Sequence, residues 1–102
     1  MEKDRIIARL RDHEPELRAA GVASLSLFGS VARGDDRPTS DLDIALRLSP
    51  NADAVGLAYF SRLDSLKQRL ETIVGRPVDV IAEPVRKARL QRNIEQDRAI
   101  AF

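Results

Sequence analysis

The spacing of apolar residues divides the chain into helical and extended parts. Residues 3 to 20 carry apolar side chains at helical spacing among charges. Pro15 either starts a second helical segment there or kinks the first, before Gly21 ends the region. From Asp53 to Val74 apolar side chains recur every three or four residues, the clearest helical pattern in the chain, and Gly75 follows as its end. Both regions are therefore predicted to be helical.

Shorter apolar runs predict three strands, one helical turn and a last helix. Apolar and polar residues alternate from Ala23 to Phe28 and from Asp41 to Leu48, and Val78 to Ile81 is a short apolar run, so each is predicted to be a strand. Between the first two strands, Val31 to Gly34 has the pattern of one helical turn that ends at a glycine. A basic helix is predicted from Pro84 to about Asp97, with three residues facing inward: Val85, Ala88 and Ile94.

The order of these elements predicts an α/β (α+β) fold. We expect a short mixed β-sheet that carries acidic side chains on one face, with helices packed on the other face. The polar stretch from Asp35 to Thr39 is predicted to be a loop. A length of 102 residues fits one domain, so we assign residues 1–102 to a single domain.

Composition and charge narrow the functional classes. Seventeen Lys and Arg against 16 Asp and Glu give a formal net charge of +1, so no overall field favours nucleic acid or membranes. The chain has no cysteine and one histidine, which argues against disulfides and against a Cys/His zinc site. A bound metal would therefore need oxygen ligands. No apolar stretch approaches the ~20 residues that span a bilayer, and we expect a cytoplasmic protein.

Three aspartates in strands form a candidate metal site. Asp41 and Asp43 lie two residues apart on one strand, so their side chains share a face at a Cα separation of about 7 Å. Asp79 interrupts an apolar strand, where an unpaired buried acid would be costly. Taken singly, each has a simpler interpretation as a strand cap, a solvent-facing residue or an edge residue. Together they favour a hard divalent cation such as Mg²⁺.

A glycine and a serine directly follow the first predicted strand. Gly29 and Ser30 leave this strand and open a helical turn, so backbone amides and the Ser30 hydroxyl can point at one anion. Glycine allows a phosphate to approach the backbone closely. A Gly-Ser pair alone is weak evidence, because such pairs end many strands. Its position beside the acidic strands gives it weight.

The glycine-serine turn, the paired aspartates and the later strand aspartate form a combined pattern. The segments are Leu27-Phe-Gly-Ser-Val-Ala-Arg-Gly34, Ser40-Asp-Leu-Asp-Ile44 and Val78-Asp-Val80. This pattern resembles the polymerase-beta-type nucleotidyltransferase superfamily and, more narrowly, its minimal nucleotidyltransferases. The resemblance covers nearly all of the chain and supplies the expected strand order.

The resemblance implies roles for the motif residues. Asp41 and Asp43 would bind two Mg²⁺ ions, and Asp79 would hold the catalytic ion beside the attacking oxygen and help to remove its proton. Gly29 and Ser30 would bind the β- and γ-phosphates of ATP. An attacking hydroxyl would then displace pyrophosphate from the α-phosphate.

Two further residues near the motif receive weaker roles. Arg33 follows Ser30 by one helical turn and is predicted to place a guanidinium near the triphosphate, although a surface arginine is an equal alternative. Ser40 precedes Asp41 and is predicted to orient a carboxylate or to form a hydrogen bond to the loop. His13 lies among charged residues away from the motif and receives no role.

The resemblance also implies a partner. Minimal nucleotidyltransferases resemble the antitoxins of toxin-antitoxin systems that pair with a HEPN-type ribonuclease toxin. The predicted function is therefore transfer of AMP from ATP to a tyrosine of such a toxin, in a hetero-oligomer. Two alternatives remain open, namely an antitoxin that neutralises by binding alone and a subunit of a small-molecule (antibiotic) nucleotidyltransferase. The basic segment Arg86 to Arg92 lacks aromatic residues for stacking, so direct nucleic-acid binding is not expected.

Overall fold

The secondary structure follows the predicted order, with one additional strand. A computed structural model describes residues 2–34, 41–49 and 57–102. The helices within these ranges are α1 (Glu2–Asp12), α2 (Glu14–Ala19), α3 (Gly29–Arg33), α4 (Leu57–Val74) and α5 (Ala88–Asp97). The strands are β1 (Val22–Phe28), β2 (Leu42–Leu48), β3 (Val78–Ala82) and β4 (Ala99–Ile100). The predicted loop from Asp35 to Thr39 and the start of the long helix at Asp53 lie outside the described residues.

The four strands form one mixed sheet in the order β3-β2-β1-β4. Strand β1 is antiparallel to both of its neighbours, whereas β2 and β3 are parallel. Parallel neighbours need a crossover connection, and α4 lies in the chain between β2 and β3. This arrangement confirms the predicted α+β fold with a short mixed sheet.

One face of the sheet packs against three helices. Alternate residues of β1 and β2 point to this face, and apolar side chains of α1, α2 and α4 pack against them. Each fully buried side chain contributes about 1.5–3 kcal/mol to the free energy of folding. The largest fully buried side chains of this cluster from the sheet are Leu25, Leu27, Leu42, Ile44 and Leu46, and those from the helices are Leu10, Leu17 and Leu70. This helical layer is the one predicted from the sequence.

The opposite face of the sheet is partly covered by α5, so the expectation of helices on one face only was incomplete. Phe28 and Ala45 point away from the main core and form a second buried cluster with Ile94 of α5. Leu90 of α5 packs against the same cluster. The physical reason is that strand residues alternate between faces, and the apolar positions on this face need their own cover. Helix α5 therefore lies on the face that also carries the acids.

The last helix begins later than predicted. It starts at Ala88 rather than at Pro84, and Ala88 is exposed instead of facing inward. The backbone N–H of Val85 donates to the side chain of Gln91 over 2.9 Å, so a side chain of α5 stabilises a turn before the helix. The inward position of Ile94 was predicted correctly, because this residue is fully buried.

Strand β4 follows α5 and was not predicted. Its two residues pair with β1, Ala99 opposite Leu27 and Ile100 opposite Ser26. Just beyond it, the N–H of Ala101 donates to the carbonyl of Leu25 over 2.9 Å. Two residues are too few to show the alternation by which strands are recognised in a sequence.

A buried ion pair fixes α5 and β4 to the rest of the fold. The side chain of Glu83 is 1% exposed and accepts two hydrogen bonds from Arg98, at 2.9 and 2.6 Å. Gln91 of α5 donates to the same carboxylate over 2.8 Å, and Arg98 also donates to the Ser26 hydroxyl over 3.1 Å. The hydrogen bonds from Arg98 lower the pKa of Glu83 despite its burial. The Glu83 carboxylate, which precedes α5 in the chain, thus holds both Gln91 within this helix and Arg98 after it.

Candidate active site

Two of the three candidate acids face each other across neighbouring strands. Asp43 of β2 and Asp79 of β3 are direct register partners in the parallel pair. On its other side, Asp43 lies opposite Phe28, the last residue of β1. Asp41 immediately precedes β2 and is exposed, as is Asp79, whereas Asp43 is half-buried. The structure therefore places the two strand acids on one face of the sheet. Asp41 lies just before β2, two residues before Asp43.

The charges of this group act on one another. Burial raises the pKa of Asp43, and the negative charges of Asp79 and Asp41 raise it further. The positive charge of Arg33 opposes this increase. Ionised carboxylates at this place are thus mutually unfavourable unless a cation compensates them.

The donor atoms of the three acids fit a hard cation in type, because all are carboxylate oxygens. Over residues 2–34, 41–49 and 57–102, no three acidic or histidine side chains are already close enough together to enclose an ion. Binding would therefore require rotation of the exposed side chains of Asp41 and Asp79 towards Asp43. Both side chains are exposed, which leaves them free to change rotamer.

Gly29 begins α3 directly beside the carboxylate of Asp43. Its φ of +75° lies in the left-handed region that favours glycine. A Cβ atom at this position would contact a carboxylate oxygen of Asp43 and would lie 3.1 Å from its Cγ and 3.4 Å from its Cβ. Sequence reasoning explained this glycine by phosphate approach alone. The structure adds that a side chain here would have to displace the Asp43 carboxylate.

The short helix α3 carries the other two described candidates. Ser30 is its half-buried second residue, one position after Gly29. Arg33 is its last residue, and its guanidinium forms an ion pair of 2.8 Å with Asp97 of α5. The same guanidinium is close enough to lower the pKa of Asp43. Arg33 thus lies close enough to Asp43 to interact with it electrostatically, and its contact with a triphosphate stays a prediction. Ser40, the remaining candidate, lies outside the described residues.

A cleft of about 520 Å³ lies between α3 and α5, next to Gly29. Its wall from α5 includes Asn93, Gln96 and Asp97, and Arg33 lines the facing side. Sequence reasoning did not select these α5 residues. The only available signal was the helical spacing of polar residues in a basic segment, which is typical of many surface helices.

The one histidine is remote from this cleft. His13 is hydrogen-bonded to Glu16 over 2.9 Å, and Arg69 of α4 pairs with the same glutamate over 2.8 Å. These three residues line a second cleft, between α1 and α4, whose lining shares no residue with that of the first. Glu16 thus pairs with both His13 and Arg69.

Known proteins share this fold and sequence pattern. Residues 4–101 match the family model described as a nucleotidyltransferase domain. The chain is 34% identical over 90 residues to a protein of Methanocaldococcus jannaschii named as a proposed protein adenylyltransferase, and the alignment covers 86% of each protein. A second protein of that organism with the same description is 37% identical over 75 residues, covering 72% of this chain and 80% of that protein.

Solved structures of related proteins share this fold. A proposed minimal nucleotidyltransferase matches with a TM-score of 0.73 and 29% identity, covering 97% of this chain and 95% of that chain. A chain in a toxin-antitoxin complex with AMP-PNP matches with a TM-score of 0.62 and 23% identity, covering 100% of this chain and 73% of that chain. A chain in the complex of a tri-AMPylated Shewanella oneidensis HEPN toxin with an MNT antitoxin matches with a TM-score of 0.57 and 22% identity, covering 99% and 69%. At these identities the two complexes show similarity of fold alone.

The family match and the shared fold therefore define the class of this domain, one that transfers nucleotidyl groups. The chain belongs to the nucleotidyltransferase domain family, and it has the fold of a minimal nucleotidyltransferase. The family and the enzyme class predicted from the sequence are thereby confirmed. In the part of the chain that the structure describes, no helix has the length and apolar character needed to cross a membrane.

Proposed function

We propose that this chain is a Mg²⁺-dependent protein adenylyltransferase that moves AMP from ATP to a hydroxyl group of a partner protein. The observation that carries the proposal is the registered pair Asp43 and Asp79 beside Gly29, whose like charges need a cation. The similarity to proteins named as protein adenylyltransferases favours a protein as the acceptor.

The residues that would hold Mg²⁺ are Asp41, Asp43 and Asp79, with two ions expected. A bound cation of this kind supplies charge neutralisation between the carboxylates and the phosphates. Asp43 is the central ligand because it lies two residues after Asp41 and directly opposite Asp79, and it is also the acid whose pKa is raised by both neighbours.

The remaining residues bind and orient the nucleotide. Gly29 and Ser30 bind the β- and γ-phosphates with the amides at the start of α3 and the Ser30 hydroxyl. Arg33, held by Asp97, directs a guanidinium to the same side. Ser40 remains a candidate for a hydrogen bond to the predicted loop or for orienting a carboxylate.

The transfer itself is a displacement at the α-phosphorus. The acceptor oxygen forms a bond to this phosphorus, the bond to the bridging oxygen breaks, and pyrophosphate leaves with its electrons. The hydroxyl proton passes to Asp79, whose side chain is exposed on β3 and accessible to an acceptor. Positioning of the two reactants lowers the barrier further, because it makes the reaction effectively unimolecular.

The acceptor we propose is a tyrosine of a HEPN-type ribonuclease toxin, so that the chain acts as an antitoxin. Support comes from the shared fold with chains of toxin-antitoxin complexes, one containing AMP-PNP and one containing a tri-AMPylated toxin. A transfer mechanism is favoured over neutralisation by contact alone, because contact requires no half-buried carboxylate beside two further acids.

A calorimetric titration of ATP tests the nucleotide site. We expect binding that requires Mg²⁺ and weakens at least about tenfold in Asp79→Asn, because one carboxylate ligand is lost. Asp64→Asn removes an exposed carboxylate of α4 and is the matched control, with unchanged affinity expected. An ATP affinity that does not depend on Mg²⁺, or that is unchanged in Asp79→Asn, would contradict the proposed site.

A further inference from the structure

Four cationic side chains form an exposed group on and before α5. We call this group the basic face; its members are Arg86, Lys87, Arg89 and Arg92, all exposed. Within residues 2–34, 41–49 and 57–102, none of the four forms an ion pair or a side-chain hydrogen bond. Exposed arginines elsewhere in the fold do, and Arg18 of α2 pairs with Glu14 at 2.7 Å.

The fold does not explain where these charges lie. They occupy the N-terminal half of α5 and the residues before it, and the first turn of the helix contains no acid. Cations are unfavourable near a helix N-terminus, because the helix dipole places partial positive charge there. Unpaired cations at this end therefore raise the local positive potential without stabilising the helix.

Two residues of the basic face are continuous with the cleft that lies beside Gly29. Arg89 lies one helical turn before Asn93, and Arg92 lies one turn before Gln96, so each pair shares a side of α5. Asn93 and Gln96 line the cleft beside Gly29. A molecule that enters this cleft from the N-terminal side of α5 must therefore pass the basic face.

We infer that the basic face binds an acidic segment of the protein acceptor and so brings its hydroxyl to the cleft. This inference rests on the proposed function, because the acceptor must dock while ATP occupies the residues around Gly29 and Asp43. Complementary charge would guide the encounter and set the orientation of the acceptor.

The chemistry of the surface favours an acidic polypeptide over other occupants. The large exposed apolar side chains among the described residues are Phe60 and Ile100, which lie on α4 and β4 rather than on α5. Residues 84–97 contain no aromatic side chain on which a nucleic-acid base could stack. Charge is thus the main feature that α5 offers to a partner.

The test uses a fluorescent copolymer of glutamate and tyrosine as the probe, in low salt, with the full chain. One variant neutralises the basic face: Arg86→Gln, Lys87→Gln, Arg89→Gln and Arg92→Gln. The control variant removes the same charge from α1 and α4: Lys3→Gln, Arg5→Gln, Arg9→Gln and Lys67→Gln. We expect the first variant to bind the copolymer at least about tenfold more weakly than wild type, and the control to bind within about twofold. Wild-type binding should also weaken as salt is added.

Several results would overturn the inference. These are absence of copolymer binding by the wild type, equal losses in both variants, and a single-stranded RNA of equal charge that binds the basic face more tightly. A parallel titration with Mg²⁺ and ATP separates this inference from the proposed function. We expect unchanged ATP affinity in both variants, and a selective loss in the first would assign the basic face to the nucleotide instead. If the wild type binds the copolymer through this face but does not bind ATP, the proposed function fails and the docking surface stands.

Discussion

Replacement of Asp43 by asparagine is expected to reduce AMP transfer by about three orders of magnitude. Loss of a central carboxylate ligand removes several kcal/mol of charge stabilisation, and each ~1.4 kcal/mol corresponds to a tenfold change in rate. The measurement is the rate of AMP incorporation at saturating ATP. Asp64→Asn should retain the wild-type rate, and an Asp43→Asn variant within about tenfold of wild type would exclude Asp43 as a metal ligand.

The same substitution is expected to leave the metal-free fold as stable as wild type or up to about 1 kcal/mol more stable. The pKa of Asp43 is raised in the folded protein by burial and by the charges of Asp79 and Asp41. A raised folded pKa means that ionised Asp43 destabilises the fold at neutral pH. This penalty declines as the pH falls through the raised folded pKa towards the unfolded value of about 4. Urea unfolding with a chelator at pH 7 and pH 4 should therefore show the difference between variant and wild type shrinking at pH 4.

Replacement of Gly29 by alanine is expected to reduce AMP transfer about 100-fold and to destabilise the fold by about 1–2 kcal/mol. The stability loss comes from the φ of +75°, which alanine adopts at a cost. The loss of activity comes from the added Cβ atom, which would contact the Asp43 carboxylate and displace it from the site.

Gly75→Ala separates these two effects. Gly75 has a φ of +74°, close to that of Gly29, but a Cβ atom there would meet nothing within 4 Å. Gly75 follows the end of α4, and an added Cβ atom there would contact none of the three acids, so its substitution should cause a similar loss in the free energy of unfolding with activity unchanged. Equal losses of activity in the two variants would show that strain alone, rather than displacement of Asp43, reduces transfer.

The elements that position the site were predictable because their signals are local. Alternation along β2 was sufficient to place Asp43 opposite the apolar face of that strand, and the single acid in β3 identified Asp79. The positions of Gly29 and Ser30 between a strand and a helical turn were also visible in sequence. These features depend on residues within a few positions of one another.

The features that were missed depend on contacts between distant residues. The pairing of Arg33 with Asp97 joins positions 64 residues apart, and the register of Asp43 with Asp79 depends on the crossover between β2 and β3. Strand β4 exists because β1 offers an open edge and Arg98 is fixed to Glu83 just before it. The turn before α5 is stabilised by a hydrogen bond from the backbone N–H of Val85 to the side chain of Gln91. None of these leaves a periodic pattern in the sequence.

The most direct test of the account is the intact mass of a HEPN-type ribonuclease after incubation with this chain, Mg²⁺ and ATP. The account predicts a mass increase of one or more AMP groups, located on tyrosine by fragmentation and absent when Asp43→Asn replaces the wild type. A stable complex between the two proteins without any added mass would contradict transfer and would assign neutralisation to binding alone.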